Sequence, residues 1–223
     1  MAVILSIETS TTVCSAALHE KGELLAYEEL LTPQSAASQL IVQIDKLFSK
    51  TGISKQRLDA VAVAQGPGSY TGLRIGVATA KGICFGLRIP IIGIDSLLVV
   101  AASVGQHSAE LLCPMIDARR MEVYCSVLTS NLVVVEKTQA KVIDEQSFAD
   151  HLALHSILFF GNGAMKCQEV ISHSNAHFLD HVISSAKHMG KLAYESYGQG
   201  RFEDLNRIEP NYLKEFKAKT KMA

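Results

Sequence analysis

The chain has 223 residues, 48% of them hydrophobic and 19% charged, with a formal net charge of −1. That is material for one large domain or two small lobes, and the near-neutral balance excludes a global field that draws in nucleic acid, leaving only local patches. The five cysteines (Cys14, Cys84, Cys113, Cys125 and Cys167) are odd in number and form no C-x-x-C pair, which points to reduced, buried thiols in a cytoplasmic protein rather than a disulfide framework.

The opening MAVILSIETS lacks a basic n-region and turns polar after a few apolar residues, so it reads as a first strand, not a signal peptide. It begins three short strands in series, AVILSIE, VCSAALH and ELLAYEEL, joined by the polar turns TSTT and EKG, a spacing that favours an antiparallel meander. In SAASQLIVQIDKLFSKTG, Leu40, Ile41, Ile44, Leu47 and Phe48 recur at helical spacing and Gly52 supplies a stop. DAVAVA is a buried strand, QGPGSYTGLRIGVATAKGICFG a loop then a helix, and IPIIGI a further strand, giving β-β-β-α-β-α-β. Arg74 and Lys81 interrupt the longest apolar stretch, so no membrane span is expected.

The loop and helix at 65–86 admit two readings. A glycine turn before a helix can hold an anion on its backbone N–H groups, yet there is no lysine after Gly72 for a Walker loop, and Thr71 stands where a dinucleotide fingerprint needs glycine. Pro67 and Gly68 shape a tight turn, and Ser69 caps the helix. The helix itself holds Gly72, Gly76, Gly82 and Gly86, each costing about 0.8 to 1 kcal/mol against alanine. Gly72, Gly76, Thr79 and Ala80 fall on one small-residue stripe and Ala78, Gly82 and Gly86 on another, with Arg74 and Lys81 on a single charged strip. Small residues at i and i+4 admit a second backbone. That backbone belongs either to a partner subunit packed beside the helix at 35–50, or to the chain's own domain.

The second half repeats the theme. IDARRMEVYCSVL parallels IETSTT-VCSAAL, and ILFFGNG parallels VAVAQGPG in the same order, the mark of a duplication and of two related lobes with a cleft between them. The expected division is 1–104 and a smaller lobe at 105–223, whose last helix packs back on the first. His151 with His155, and His173 with His177 and His181, recur at i, i+4 and invite a metal reading. HLALH lacks the glutamate of a metallopeptidase motif, and HSNAHFLDH contains loop-like Ser-Asn, so no metal site is expected. No G-x-S-x-G elbow marks a nucleophile. The lysines at 214, 217, 219 and 221 read as a solvated end or a binding arm.

ILSIETST, QGPGSYTGLRIGVATAKGI, IPIIGIDSL and IDARRMEVY together resemble the TsaB (YeaZ) family over the first 125 or so residues, and EPNYLK is similar to that family's closing segment. The resemblance implies a two-lobed α/β fold of the actin, sugar-kinase and chaperone ATPase class, each lobe a ribonuclease-H-like mixed sheet with helices. It implies a non-catalytic subunit that binds and activates TsaD, the enzyme that transfers a threonylcarbamoyl group to N6 of the adenosine beside the anticodon of tRNA, with the ATPase TsaE completing the set. The TsaD contact, and self-pairing as a homodimer in its absence, fall to helices matching 35–50 and 71–86. The residues expected to line this contact are Ala36, Leu40, Gln43, Leu47, Gly72, Arg74, Ile75, Gly76, Thr79, Ala80 and Ile83.

The fold's first strand usually ends in an aspartate that helps hold a metal-nucleotide complex, where this chain has Glu8. Glu8, Ser10, Gly66, Gly68, Ser69, Asp117 and Arg119 would then line a degenerate nucleotide or phosphate cleft. TsaD-like relatives carry H-x-x-x-H on the helix after the third strand, and SAASQLIVQI has no histidine. The expectation is therefore no intrinsic cofactor or metal, with ATP or ADP and metal ions on partner subunits or a shared interface, and tRNA touched indirectly or weakly. The competing class is a nucleotide-dependent or metallopeptidase-like enzyme of the same fold. A third, a dinucleotide-binding module, is opposed by the three-strand meander.

Overall fold

The computed structural model describes residues 2–31, 36–105 and 107–214. Strands β1 (Val3–Glu8), β2 (Cys14–Glu20) and β3 (Glu23–Leu30) form the expected antiparallel meander. Strand β4 (Ala60–Gly66) pairs parallel with β1, and β5 (Ile91–Asp95) parallel with β4, in the order β3-β2-β1-β4-β5. Helices α1 (Ala36–Thr51) and α2 (Tyr70–Leu87) cover one face.

The strand code decides which residues meet them. In β4, Val61 and Val63 point into the core under α1 and α2, while Ala60, Ala62 and Ala64 point to the opposite face. Those small side chains let Ala186, Met189 and Ala193 lie close against the sheet, the last from helix α5 (Gly190–Gly198). The same face buries His19. Its Nδ1 lies 3.1 Å from the Ser6 hydroxyl and its Nε2 3.3 Å from the Lys187 carbonyl. A carbonyl only accepts, so Nε2 carries the proton and Nδ1 accepts from Ser6; burial holds the ring's pKa below its ordinary value.

Helix α3 (Ser96–Ala102) was not anticipated. Its sequence SLLVVAA has no polar face because it is covered on two sides. Val99 packs on the first sheet, and Leu97, Val100 and Ala101 pack on Leu112, Ile116, Leu128, Leu158 and Phe160 of the second.

The second sheet contains β6 (Leu111–Asp117), β7 (Glu122–Thr129), β8 (Val134–Val142), β9 (Ile157–Phe160) and β10 (Ala176–Leu179), with the short helix α4 (Ala149–Leu152) before β9. Its order, β10-β9-β6-β7-β8, read from the other edge repeats that of the first sheet with every strand advanced by five. The parallel and antiparallel pairings correspond as well, so the duplication inferred from the motifs is present in the topology. All five cysteines are free and buried, and burial pushes the Cys14, Cys84 and Cys167 thiols up to about 11. No helix among the described residues is long and apolar enough to cross a membrane.

Candidate functional site

Helix α2 starts where Ser69 accepts the Gly72 N–H on its hydroxyl at 3.2 Å, the cap expected of serine there. Its glycines divide into two kinds. A Cβ on Gly72 would overlap the Thr9 carbonyl oxygen, and one on Gly76 would overlap the Thr9 hydroxyl. Thr9, in the β1–β2 turn, is buried and donates its hydroxyl to the Gly72 carbonyl at 2.8 Å. The first small-residue stripe is therefore a notch for the chain's own turn, and Gly72 and Gly76 are buried against it. Gly82 and Gly86 face open space.

The other expected contact residues sort the same way. Leu40, Leu47 and Ala80 are buried in the core, and Gln43 is spent inside it, donating to the Cys14 carbonyl at 3.2 Å. Their helical register turns these four, like Gly72 and Gly76, toward the sheet. The side chain of Ala36 lies outside the described residues. Ile75 and Ile83 are half-buried against the α1 side of the core, and Thr79 is half-buried.

Arg74 is exposed but engaged. Its Nε donates to the Tyr212 hydroxyl at 3.1 Å, and its guanidinium lies 4.1 Å from the Tyr70 ring, which stacks on Tyr212 at 4.7 Å. Lys81, two turns along, donates to the Ile208 carbonyl at 3.2 Å. The charged strip on α2 thus seats the segment 206–212.

What remains outward on α2 is Thr71, Ala78, Gly82, Phe85 and Gly86, with Phe85 79% exposed. On neighbouring α1 the outward apolar residues are Ile41 and Val42. Phe85 was missed, although it sits one helical turn from Gly82 on the stripe that carries Ala78 and Gly86.

The expected cleft residues do not assemble as a phosphate cradle. Glu8 is fully buried beside the hydroxyls of Ser10 and Ser184, and desolvation raises its pKa. One of its oxygens takes the Ser10 N–H, and the other has no hydrogen-bond partner among the described residues. Two backbone donors of the loop are also spent. Ser69 N–H goes to the Ser10 carbonyl at 2.6 Å and Gly66 N–H to the Ser96 hydroxyl at 3.1 Å. Gly68 lies against the Ser10 carbonyl, and Gly66 against that of Asn211.

A polar cavity of about 430 Å³ beside this loop is lined by Gln65, Gly66, Asp95, Glu209, Asn211 and Tyr212. Two carboxylates and no cation line it, the wrong charge for a phosphate. These residues do not fit a nucleotide. Asp117 ends β6 and Arg119 lies in the β6–β7 turn, at the corresponding end of the second sheet, and among the described residues no hydrogen bond or ion pair joins them to the Glu8 group.

The histidines are dispersed. His151 lies 3.5 Å from Glu136 and His155 3.7 Å from Glu110, while His173, His177 and His181 fall before, within and after β10 rather than on a helix. No group of three or more His, Cys, Asp or Glu among the described residues could hold a metal ion.

Residues 31–220 match a family model described as TsaD, tRNA N6-adenosine threonylcarbamoyltransferase. The chain is 31% identical to the tRNA threonylcarbamoyladenosine biosynthesis protein TsaB of Haemophilus influenzae, over 95% of this chain and 93% of that one. It is 28% identical to the TsaB of Bacillus subtilis over 98% and 96%. Among solved structures, YeaZ from Pseudomonas aeruginosa superposes with a TM-score of 0.82 at 24% identity, covering 96% of this chain and all of that one. The ADPNP-bound activator of the 2-hydroxyisocaproyl-CoA dehydratase from Clostridium difficile reaches 0.50 at 11% identity, over 90% and 96%. The fold is the two-sheet α/β architecture of the actin-like ATPase class, as expected. With the similarity to the Haemophilus protein running nearly end to end through the same loop, helix and hairpin that organise this structure, the chain belongs to the TsaB family.

Proposed function

We propose that this chain is the non-catalytic, partner-binding subunit of an assembly that forms N6-threonylcarbamoyladenosine in tRNA, and that it activates a TsaD-type enzyme docked on the outward face of α1 and α2. The names of its relatives supply the pathway. The observation that carries the docking reading is the stripe of Ala78, Gly82, Phe85 and Gly86, where one glycine inside the helix and one in its last turn meet nothing among the described residues. Gly82 costs about 1 kcal/mol of helix stability, and a helix laid against the stripe offsets that cost by close backbone approach. The exposed Phe85 is the natural anchor of such a contact.

In this reading, ATP or ADP and metal ions are held by the partner subunits, a TsaE-type ATPase among them. The same stripe pairs two copies of the chain when TsaD is absent. The lobes divide near residues 104 and 105, with α5 returning to the first.

Gly82→Leu and Phe85→Asp are expected to abolish pairing with the TsaD-type protein in size-exclusion light scattering while leaving the melting temperature within a few degrees of wild type. Undiminished pairing in both variants would place the interface elsewhere. Reconstitution with the TsaD-type and TsaE-type proteins, ATP and tRNA, omitting each in turn, should yield modified adenosine only when this chain is present. The enzyme reading would replace ours if the chain alone hydrolysed ATP or a peptide at an ordinary enzymatic rate of about 1 per second or more.

A further inference from the structure

We propose that the segment 209–214 is a gate over the polar cavity beside the β4–α2 loop, latched shut by the ion pair between Lys214 and Glu122.

The segment has a fixed root. The chain turns at 204–208, where the Ile208 N–H meets the Asp204 carbonyl at 2.8 Å and the Asn206 N–H meets the Asp204 carboxylate at 2.8 Å. Ile208 is buried in the core of the first sheet, and Lys81 of α2 holds its carbonyl at 3.2 Å. A buried apolar anchor fixes the point about which the residues after it can swing.

Beyond Ile208 the contacts change in kind. None of the residues 209–214 is buried, and none lies in a helix or strand. The Gln65 side chain donates to the Glu209 carbonyl at 2.9 Å, and the Asn211 N–H donates to the Gln65 carbonyl at 2.7 Å. Arg74 Nε donates to the Tyr212 hydroxyl at 3.1 Å, and Tyr212 stacks on Tyr70. Water can replace bonds at the surface, so a segment with few buried apolar contacts opens at a lower free energy than the whole fold.

Among the described residues, the hydrogen-bonded or ionic tie from this segment to the second sheet is the Lys214–Glu122 pair. The receiving end is rigid. Lys166 Nζ donates to the Arg120 and Glu122 carbonyls, each at 2.7 Å, and pairs with the Asp117 carboxylate. The latch itself is weak: its side chains are 38% and 23% exposed, and salt screens ion pairs of that kind. A firm root, an arm bonded at the surface and a screened ionic tip let the segment open while the rest of the protein stays folded.

Closed, the arm is one wall of the cavity. Glu209, Asn211 and Tyr212 stand on that side, and Gln65, Gly66 and Asp95 on the other. The seating is close, with the Asn211 carbonyl oxygen 2.5 Å from where a Cβ on Gly66 would stand. The opposite wall stays in place when the arm lifts, because Asp95 is held by the Thr138 hydroxyl at 2.8 Å and the Leu97 N–H at 2.7 Å. Opening therefore uncovers the cavity floor at Gly66, together with Tyr70 and Arg74 at the start of α2.

Amide hydrogen exchange of the full chain, followed by NMR, reads each part. Asn211 reports the arm and Ile208 the root. Gly66, whose N–H is bonded to the Ser96 hydroxyl, reports the cavity floor, and Val61, bonded to the Pro90 carbonyl, reports the core. Raising NaCl from about 0.05 M to about 0.5 M is expected to lower the protection of Asn211 and Gly66 about threefold, with Ile208 and Val61 unchanged. Lys214→Gln and Glu122→Gln are each expected to give that loss at the lower salt and to remove the salt dependence. The exchanged pair Lys214→Glu/Glu122→Lys is expected to restore both.

Indifference of Asn211 to Glu122→Gln would overturn the latch, since the first sheet alone would then hold the arm. Exchange of Asn211 at the Val61 rate would mean that the segment opens only when the whole protein unfolds, and the gate would be lost as an idea. So too if Asn211 lost protection while Gly66 kept it, because the arm would then move without opening the cavity. In a variant that is destabilised overall, Val61 exchanges faster as well, and the ratio of Asn211 to Val61 protection still reads the latch.

Discussion

Thr9 accounts for two of the four glycines in α2, and this is the clearest correction at the scale of single residues. The energetic signal was present in the sequence, because glycine in a helix interior is costly wherever it occurs. Composition cannot reveal which neighbour offsets the cost. Thr9 is 63 positions away from Gly72 and reaches it only through sheet formation. Gly76→Leu is accordingly expected to damage the fold, not merely the interface. Driving a side chain into Thr9 costs about 3 kcal/mol, a fall of roughly 6 to 12 °C in melting temperature by calorimetry.

Glu8 gives a second residue-level expectation. Burial raises its pKa above the ordinary 4.5, so the folded protein holds a proton that the unfolded chain releases, and stability falls as pH rises through the window above 4.5. Glu8→Gln removes that dependence. The variant should match wild type near pH 4 and become more stable as pH rises, by about 1 to 3 kcal/mol, in a pH series of thermal melts. A gap that did not change with pH would mean that the carboxylate is paired and charged in the folded state.

Among elements, α2 shows how much of a helix can be read from periodicity and where reading stops. Its span, its serine cap and its two small stripes follow from spacing alone, as does the charged strip of Arg74 and Lys81. The structure assigns a different neighbour to each face. Thr9 and the sheet take the Gly72 and Gly76 side, α1 takes Ile75 and Ile83, and the segment 206–212 takes Arg74 and Lys81. Among the described residues, Thr71 and the Ala78, Gly82, Phe85 and Gly86 stripe are left outward, and the interface proposal rests on that narrower face. Helix α1 was ambiguous for a related reason. Leu40, Ile41, Val42, Ile44, Leu47 and Phe48 cover most of its circumference, so apolarity alone could not separate the buried Leu40 and Leu47 from the exposed Ile41 and Val42. The short α3 escaped notice because SLLVVAA offers no periodic contrast when both sides are covered.

For the whole molecule, α3 is the joint. Leu97 is fully buried against the second sheet while Val99, on the same helix, belongs to the first. Leu97→Ala is expected to cost about 2 to 5 kcal/mol and to leave a single calorimetric transition at lower temperature, because the cores share this helix. Two resolved transitions would show that the sheets unfold independently. The order of the first seven elements, the repeated motifs of the two halves and the family resemblance were determined by the sequence itself, since alternation, helical spacing and turn chemistry are local properties of the chain. Which glycines face inward, that the loop at 66–69 gives the Ser69 and Gly66 N–H groups to Ser10 and Ser96, and that Lys166 pins the β6–β7 turn were decided only by tertiary structure. Each depends on contacts between residues far apart in sequence, and no local pattern encodes which distant group will arrive.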